Sequence, residues 1–406
     1  MQLYDTAART VRPLEPAGDP VTLYVCGITP YDAAHLGHAF TYHVFDVVTR
    51  RLRAGGQRVS SVRNVTDVDD DIFRVARERG VDARALVAEQ VARFDREMAA
   101  IGILPVTAPY ASAHVPEMVE WIRRLEAAGF AYARDGHVYY DAARFDRYGR
   151  LSGLDRAAMI ALSRERGADP DDPRKRDPLD FILWQPSLPD EPRWPGPWGD
   201  GRPGWHIECS VIATHELGAT VDIHGGGDDL VYPHHESEIA QTEALQDDPL
   251  ARHWVHVAMV QLDGVKMSKS LGNLVFVRDL VGAAPPGAVR LVLAAHHHRT
   301  AWSYTADDLA AARDRYSTWC TVFTGDARLD PEEASAAERE FFARLDDDLD
   351  TPGALRVLDR VATQGSRSQA AGGIPAAPLM ARLSGVIGVG LDRVATLPLT
   401  EPRRVS

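Results

Sequence analysis

Apolar and polar positions fall in blocks whose period changes along the chain. Residues 21–27 (VTLYVCG) are a nearly unbroken apolar run, as expected of a strand buried on both faces, and Gly27 and Pro30 close it. From about His35 to Arg53 apolar positions recur every three to four residues, which predicts a helix that Ala54-Gly55-Gly56 ends. Residues 58–66 return as an apolar-rich strand, completing the strand–helix–strand unit of a parallel, doubly wound sheet. Helical spacing then runs through residues 69–133.

The pattern breaks over residues 136–203. HVYYDAARFDRYGRLSG predicts a short hairpin, and the Pro- and Gly-rich stretch that follows carries Trp184, Trp194 and Trp198, with Trp205 just beyond. So many indoles are poorly left in water, so this stretch reads as an ordered insertion folded over a site. A second sheet half follows: a strand at 221–224, a Gly-rich turn, a helix from about 233 to 246, and a strand at 254–261 leading into KMSKS. Beyond 283 the spacing is helical, with Pro285-Pro286, Asp346-Asp347-Asp348 and a Gly/Ala/Ser-rich stretch at 365–377 as breaks. The expected architecture is α/β: a Rossmann-like doubly wound parallel sheet with an insertion (connective) domain and a C-terminal α-helical bundle. Its divisions are 1–133 and 204–282 for the two sheet halves, 134–203 for the insertion and 283–406 for the helices.

The 406 residues are 45% hydrophobic and 25% charged, which excludes disorder as the main state. No apolar run reaches the ~20 residues that cross a bilayer, and the N-terminus has no secretory apolar core. Cys26, Cys209 and Cys320 make no disulfide framework and point to a reducing, cytoplasmic setting. A net charge of −13 makes a poor general nucleic-acid surface. Lysine is nearly absent: Lys175, Lys266 and Lys269 are the only three, and two of them stand in KMSKS (266–270). A lysine is a compact charge on a flexible stem, so the pair suggests a loop that needs mobile point charges, although a solvated turn would also read this way.

His35-Leu36-Gly37-His38 opens the first predicted helix at the strand-to-helix switch, where open α/β sheets bind ligands. A helix N-terminus suits phosphate, the two histidines share a face of the first turn, and Gly37 leaves room for a nucleotide ring. Cys26, Cys209, His234 and Glu238 each fall at a predicted strand end or helix start and form a reasonable Zn²⁺ donor set. Sequence alone does not bring them together, and each singly reads as well as a buried thiol or a hydrogen-bonded side chain.

HLGH followed by KMSKS resembles the two signatures of class I aminoacyl-tRNA synthetases. With CGITPYD, GWHIECS (204–210), DIHGGGDDL (222–230) and PHHESEIAQ (233–241), the chain is similar to the cysteinyl branch of that class. The resemblance implies that His35, His38, Lys266 and Lys269 stabilise the triphosphate as an adenylate forms. It implies one Zn²⁺ per chain on Cys26, Cys209, His234 and Glu238, taking the thiol of substrate cysteine, and ATP as substrate with Mg²⁺. Thr29, Gly37, Thr41, Asn64, Val65, Thr66, Gly227, Asp228 and Val260 would line the ATP and adenylate region. Cys26, Gly27, Ile28, Trp205 and Asp229 would line the cysteine pocket, with Asp229 toward the substrate ammonium. His43, His224, His235, His256 and His296–His298 receive no catalytic role.

Two kinds of enzyme share these signatures, one charging tRNA and one forming an amide with the amine of glucosaminyl-inositol in the mycothiol pathway. The short tail, in which acidic residues outnumber basic ones, disfavours an anticodon-binding end. CGITPYD and Glu165-Arg-Gly-Ala-Asp-Pro170 favour the amide-forming ligases, whereas GWHIECS, HHESEIAQ and Glu238 look more like the synthetases. The expectation is therefore a monomeric, AMP-forming cysteine ligase whose partners are L-cysteine, ATP and a small amino-sugar acceptor, without tRNA or membrane. A cysteine ligase for another small amine, a tRNA synthetase lacking the anticodon end, and a non-enzymatic adenylate-binding paralogue are the alternatives.

Overall fold

The computed structural model describes residues 1–30, 34–267, 272–367 and 373–391. Its centre is a four-stranded, all-parallel sheet of β1 (Val21–Ile28), β2 (Val59–Val65), β3 (Val221–Gly227) and β4 (Ala251–Val257), in the order β4-β3-β1-β2. Strands from the two chain halves therefore meet between β1 and β3, with Tyr24 opposite His224 and Val25 opposite Gly225. That junction is the topological switch point, and its carboxyl end carries Cys26 and Gly27 on one side and Gly225–Gly227 on the other.

Both faces of the sheet are covered, which is why β1 reads as a continuous apolar run. Leu23 and Val25 pack on α1 (Leu36–Ala54) through Phe40, Val44 and Val48. Tyr24 and Cys26 point the other way, toward Ile207, Cys209 and Val211 of α2 (Trp205–Leu217). Each such fully buried aliphatic side chain contributes about 1.5–3 kcal/mol. The period-2 alternation of β1 thus places Cys26 and Cys209 in one layer. α1 starts where His35 accepts the Gly37 amide and ends at Gly55, with Arg51 and Arg53 in its last turn, where cations are favoured. A Cβ on Gly27 would meet the Asn64 carbonyl oxygen at 1.7 Å, so only glycine lets β1 and β2 close up at the cleft.

The insertion is an antiparallel sheet of Ala131–Arg134, His137–Tyr140, Phe181–Pro186 and Gly201–Pro203. Its hairpin lies earlier than the sequence pattern suggests. Asp135 and Gly136 have positive φ and form the tight turn, while residues 141–153 are turns rather than a return strand. Trp184 is fully buried and its Nε1 donates to the Gly199 carbonyl, while the Trp198 indole donates to Glu126.

Pro285-Pro286 does not interrupt a helix but starts one, Pro286–Ala294, because proline suits the first helical position. Helices Ala306–Thr324, Pro331–Asp346, Thr351–Arg367 and Ala376–Val386 complete the C-terminal bundle. A short strand, Trp302–Tyr304, ties the bundle to Val260–Leu262, which also pairs with Val265–Lys266 at the start of KMSKS. Among the described residues no helix is long and apolar enough to cross a membrane.

Candidate active site

A cleft of about 830 Å³ opens above the carboxyl ends of β1 and β3. Its near wall is Cys26, Gly27, Ile28 and Thr29 with His35, Gly37, His38 and Thr41 of α1; Trp205, Gly227, Asp229 and Val260 close the sides. Asn64, Val65 and Thr66 lie behind that wall. The Asn64 side chain accepts from the Gly27 amide at 2.6 Å and donates to Thr66 Oγ1 at 2.9 Å, so it braces the wall. Asp228 begins the turn after β3, beside Asp229.

At the mouth of α1 the His35 and His38 rings stack with centroids 3.8 Å apart. His35 Nδ1 accepts from the Gly37 amide at 3.1 Å, which leaves Nε2 as the ring's other hydrogen-bonding atom. A Cβ at Gly37 would sit 2.9 Å from the His35 ring, so the glycine serves this cap as well as any ligand approaching the helix. Thr41 Oγ1 donates to the Gly37 carbonyl at 3.3 Å. The start of α1 also touches the segment that follows KMSKS. The Leu36 amide donates to the Val275 carbonyl at 2.8 Å and the Val277 amide to the Ala34 carbonyl at 3.2 Å. Lys269 lies outside the described residues; Lys266 ends the short strand Val265–Lys266.

The cleft floor is a buried cluster. Cys26 Sγ is 3.2 Å from Glu238 Oε1 and His234 Nε2 is 3.1 Å from the same oxygen, while His224 Nε2 is 3.2 Å from Glu238 Oε2. Two four-donor sets lie within 4.8 Å, Cys26/Cys209/His234/Glu238 and Cys26/His224/His235/Glu238, sharing Cys26 and Glu238. These separations suit the edges of a tetrahedron of Zn–N, Zn–O and Zn–S bonds of about 2.0–2.3 Å. The electrostatics agree. Burial, with Cys209 and Glu238 alongside, pushes the Cys26 thiol well up, and burial also raises Cys209. Burial would raise Glu238 as well, but the adjacent His224 and the hydrogen bonds that His224 and Cys26 give it hold its carboxyl below the usual range. Burial lowers His234 to about 3, so it is neutral and able to donate a lone pair. Two thiols and a carboxylate crowded together out of water are the donor chemistry that a divalent cation relieves.

Several histidines left without a role in the sequence surround this cluster. His235 Nε2 is 3.2 Å from Cys26 Sγ, its Nδ1 is 2.7 Å from His256 Nε2, and His256 Nδ1 is 2.7 Å from Thr6 Oγ1. His206 Nδ1 is 3.0 Å from His234 Nδ1, and the Trp205 ring stacks on His234 at 4.3 Å. A hydrogen-bond partner on a metal-binding histidine's second nitrogen fixes its ring orientation, and His206 occupies that position beside His234. The far wall comes from the insertion: Arg166, Asp169, Asp172, Arg174 and Lys175. Arg166 donates to the Asp229 carbonyl, which gives the 165–170 motif a contact with the cleft. Asp69 also lines the cleft. Burial and the nearby Asp71 and Asp70 push its carboxyl up to about 6. The run of aspartates from Asp67 to Asp71 was the sequence signal for it.

This fold and cleft define a class I synthetase catalytic core. Residues 13–314 match the family of tRNA synthetases class I (C) catalytic domain, and the chain belongs to that family. It is 45% identical over 398 residues to the L-cysteine:1D-myo-inositol 2-amino-2-deoxy-alpha-D-glucopyranoside ligase of Thermobifida fusca (strain YX), covering 97% of this chain and 95% of that one. It is 49% identical over 367 residues to the ligase of that name from Gordonia bronchialis, covering 88% of each. It is also 44% identical over 398 residues to a cysteine–tRNA ligase of Thioalkalivibrio sulfidiphilus, covering 96% of this chain and 85% of that one. Among solved structures, Mycobacterium tuberculosis methionyl-tRNA synthetase in complex with methionyl-adenylate superposes with a TM-score of 0.62 at 16% identity. That match covers 91% of this chain and 88% of that one.

Proposed function

We propose that the protein is an ATP-dependent cysteine ligase that joins L-cysteine to the amine of glucosaminyl-inositol. In the first step the cysteine carboxylate attacks the α-phosphorus of ATP, forming cysteinyl-adenylate and expelling pyrophosphate. In the second the acceptor amine attacks the adenylate carbonyl, an amide forms, AMP leaves and the amine loses a proton. The reading is carried by the meeting of the stacked His35/His38 pair with a thiol-rich donor floor in one cleft. It is supported by relatives of that name at 45–49% identity.

The residues divide the work. His35 and His38 at the amino end of α1, with Lys266 and Lys269, stabilise the negative charge that develops on the phosphates. Cys26, Cys209, His234 and Glu238 would hold one Zn²⁺, and a bound Zn²⁺ would supply a soft partner for a thiol, the chemistry that separates cysteine from serine better than an apolar pocket can. Trp205 and Asp229 border the amino acid, with Asp229 facing its ammonium. Asp69 accepts the proton that the amine gives up. Arg166, Asp172, Arg174 and Lys175 offer the acceptor's hydroxyls charged partners. ATP with Mg²⁺, cysteine and the amino sugar are thus the full set of small molecules, and the protein acts as a cytoplasmic monomer.

The test is to offer the purified protein glucosaminyl-inositol, tRNA and other amino sugars in parallel with cysteine and ATP. Amide formation with glucosaminyl-inositol at a rate well above all other acceptors is the expected result. Charging of tRNA at a comparable rate would reverse it in favour of the second reading, which the 44%-identical cysteine–tRNA ligase keeps in view.

A further inference from the structure

A second group of metal-ligating side chains stands apart from the cleft. His114 ends the short turn Ala111–His114 and precedes helix Val115–Ala127, Glu117 stands in that helix's first turn, and His215 comes from the last turn of α2. One donor atom of each lies within 4.8 Å of the others. The His114 and His215 rings meet edge to face with centroids 4.9 Å apart, and His114 Nε2 is 3.8 Å from Glu216 Oε1.

His114 is 8% exposed, and its Nδ1 is buried with no hydrogen-bond partner among the described residues. A buried imidazole nitrogen left without a partner is unfavourable, and a ligand bond would relieve it. Glu117 and His215 are exposed, so an ion there would be reached from solvent and would keep water. The helix electrostatics suit the arrangement: a cation is favoured at the C-terminal turn of α2, and a carboxylate in the first turn of the facing helix. Six residues separate His215 from Cys209, or about 9 Å along the helix at 1.5 Å per residue, so this is not the cleft cluster seen again.

We propose that His114, Glu117 and His215 bind a second divalent ion of the zinc type, with water as the remaining ligand. Two imidazoles and one carboxylate favour such a borderline-soft ion over Mg²⁺ or Ca²⁺, which take mostly oxygen. The ion cross-links helix Val115–Ala127 to the helix that carries Trp205 and Cys209, holding that helix at both ends. Its role is structural, and it stands independently of which amine the enzyme uses.

The test compares the zinc content of the wild-type protein with that of His215→Ala and Glu117→Gln after dialysis against metal-free buffer. The wild type should hold one equivalent more than either variant, and ATP–pyrophosphate exchange should be retained in both. Brief treatment with a chelator should lower the melting temperature of the wild type and leave that of His215→Ala unchanged. Equal zinc in wild type and variants overturns the proposal, as does zinc taken up only at millimolar concentration and lost on dialysis. Should His215→Ala fail to fold, Glu117→Gln, whose side chain is exposed, supplies the same comparison.

Discussion

The floor of the cleft and its far wall are built in opposite ways. On the floor, Cys26, Cys209, His224, His234, His235 and Glu238 are all buried and reach one another from two strands, β1 and β3, and two helical stretches, α2 and residues 231–243. Each is fixed by others, and each charge is set by its neighbours rather than by water. On the wall, the charged residues are paired within one stretch of chain: half-buried Arg174 with Asp172 at 2.8 Å and, beside the wall and open to solvent, Arg164 with Asp171 at 2.7 Å. An exposed pair of this kind contributes about 0–1 kcal/mol. The floor cannot be altered without cost to the fold, whereas the wall can. On the proposed reading, amino-acid activation belongs to the part of the molecule that resists change, and the choice of acceptor to the part that tolerates it.

The sharpest break should come from the floor. Cys209→Ser removes a soft donor from the buried set, and we expect loss of bound metal with a fall in cysteine-dependent pyrophosphate exchange of about 10³-fold. Cys320→Ser, half-buried in helix Ala306–Thr324 and outside the donor cluster, is the control and should match wild type in metal content and rate. Glu238→Ala should retain zinc but change the affinity for cysteine, measured by exchange at varied cysteine concentration. A comparable but differently distributed loss is expected from Lys269→Ala. The rate of adenylate formation should drop about 10²- to 10³-fold while cysteine binding by calorimetry is little changed, because that contact strengthens as charge develops.

The wall should yield smaller and later effects. Asp69→Asn keeps the helix cap on the Asp71 amide but removes the base. Amide formation should fall about 10²-fold with exchange intact. The pH dependence has a definite sign. A carboxyl with its midpoint at about 6 is a base only above that value, so wild-type transfer should decline as pH falls through 6, and Asp69→Asn should lose this acid limb. Smallest of all is Arg166→Lys, which keeps the charge but loses the fork that reaches the Asp229 carbonyl. A weakened hydrogen bond of about 0.5–1.5 kcal/mol corresponds to a rise of about two- to tenfold in KM for the amine. If Arg166→Lys cripples pyrophosphate exchange instead, the wall is not separable from the floor.

The contrast also explains what could be read from the sequence. β1, α1 and β2 were legible because their signals are local: an apolar run, a three-to-four period and a glycine stop. Cys26, Cys209, His234 and Glu238 were named through resemblance, since nothing local says that residues so far apart converge. His235 shows the limit. It is adjacent to His234 and chemically identical, yet its ring meets His256 and Cys26 whereas His234 stacks on Trp205, and only the folded helical turn at 231–235 decides that. The hairpin was misplaced for a simpler reason. Asp135-Gly136 was the turn signal, and the weight given to the aromatic run after it moved the expected turn downstream. Asp69 escaped notice because a row of aspartates reads as a solvated helix start until one of them is buried.

The bonds between Leu36 and Val275 and between Val277 and Ala34 have a consequence for how such enzymes diverge. Every atom in that stitch belongs to the main chain, so it is blind to side-chain identity at all four positions. The start of α1 and the segment after KMSKS can thus be rewritten in their side chains and still be sewn at the same place. What would cut the thread is the loss of a single N–H. A proline at 277 removes one stitch without touching a catalytic group, and should loosen the segment after KMSKS from the start of α1 while a comparison of side chains alone would score both motifs as intact.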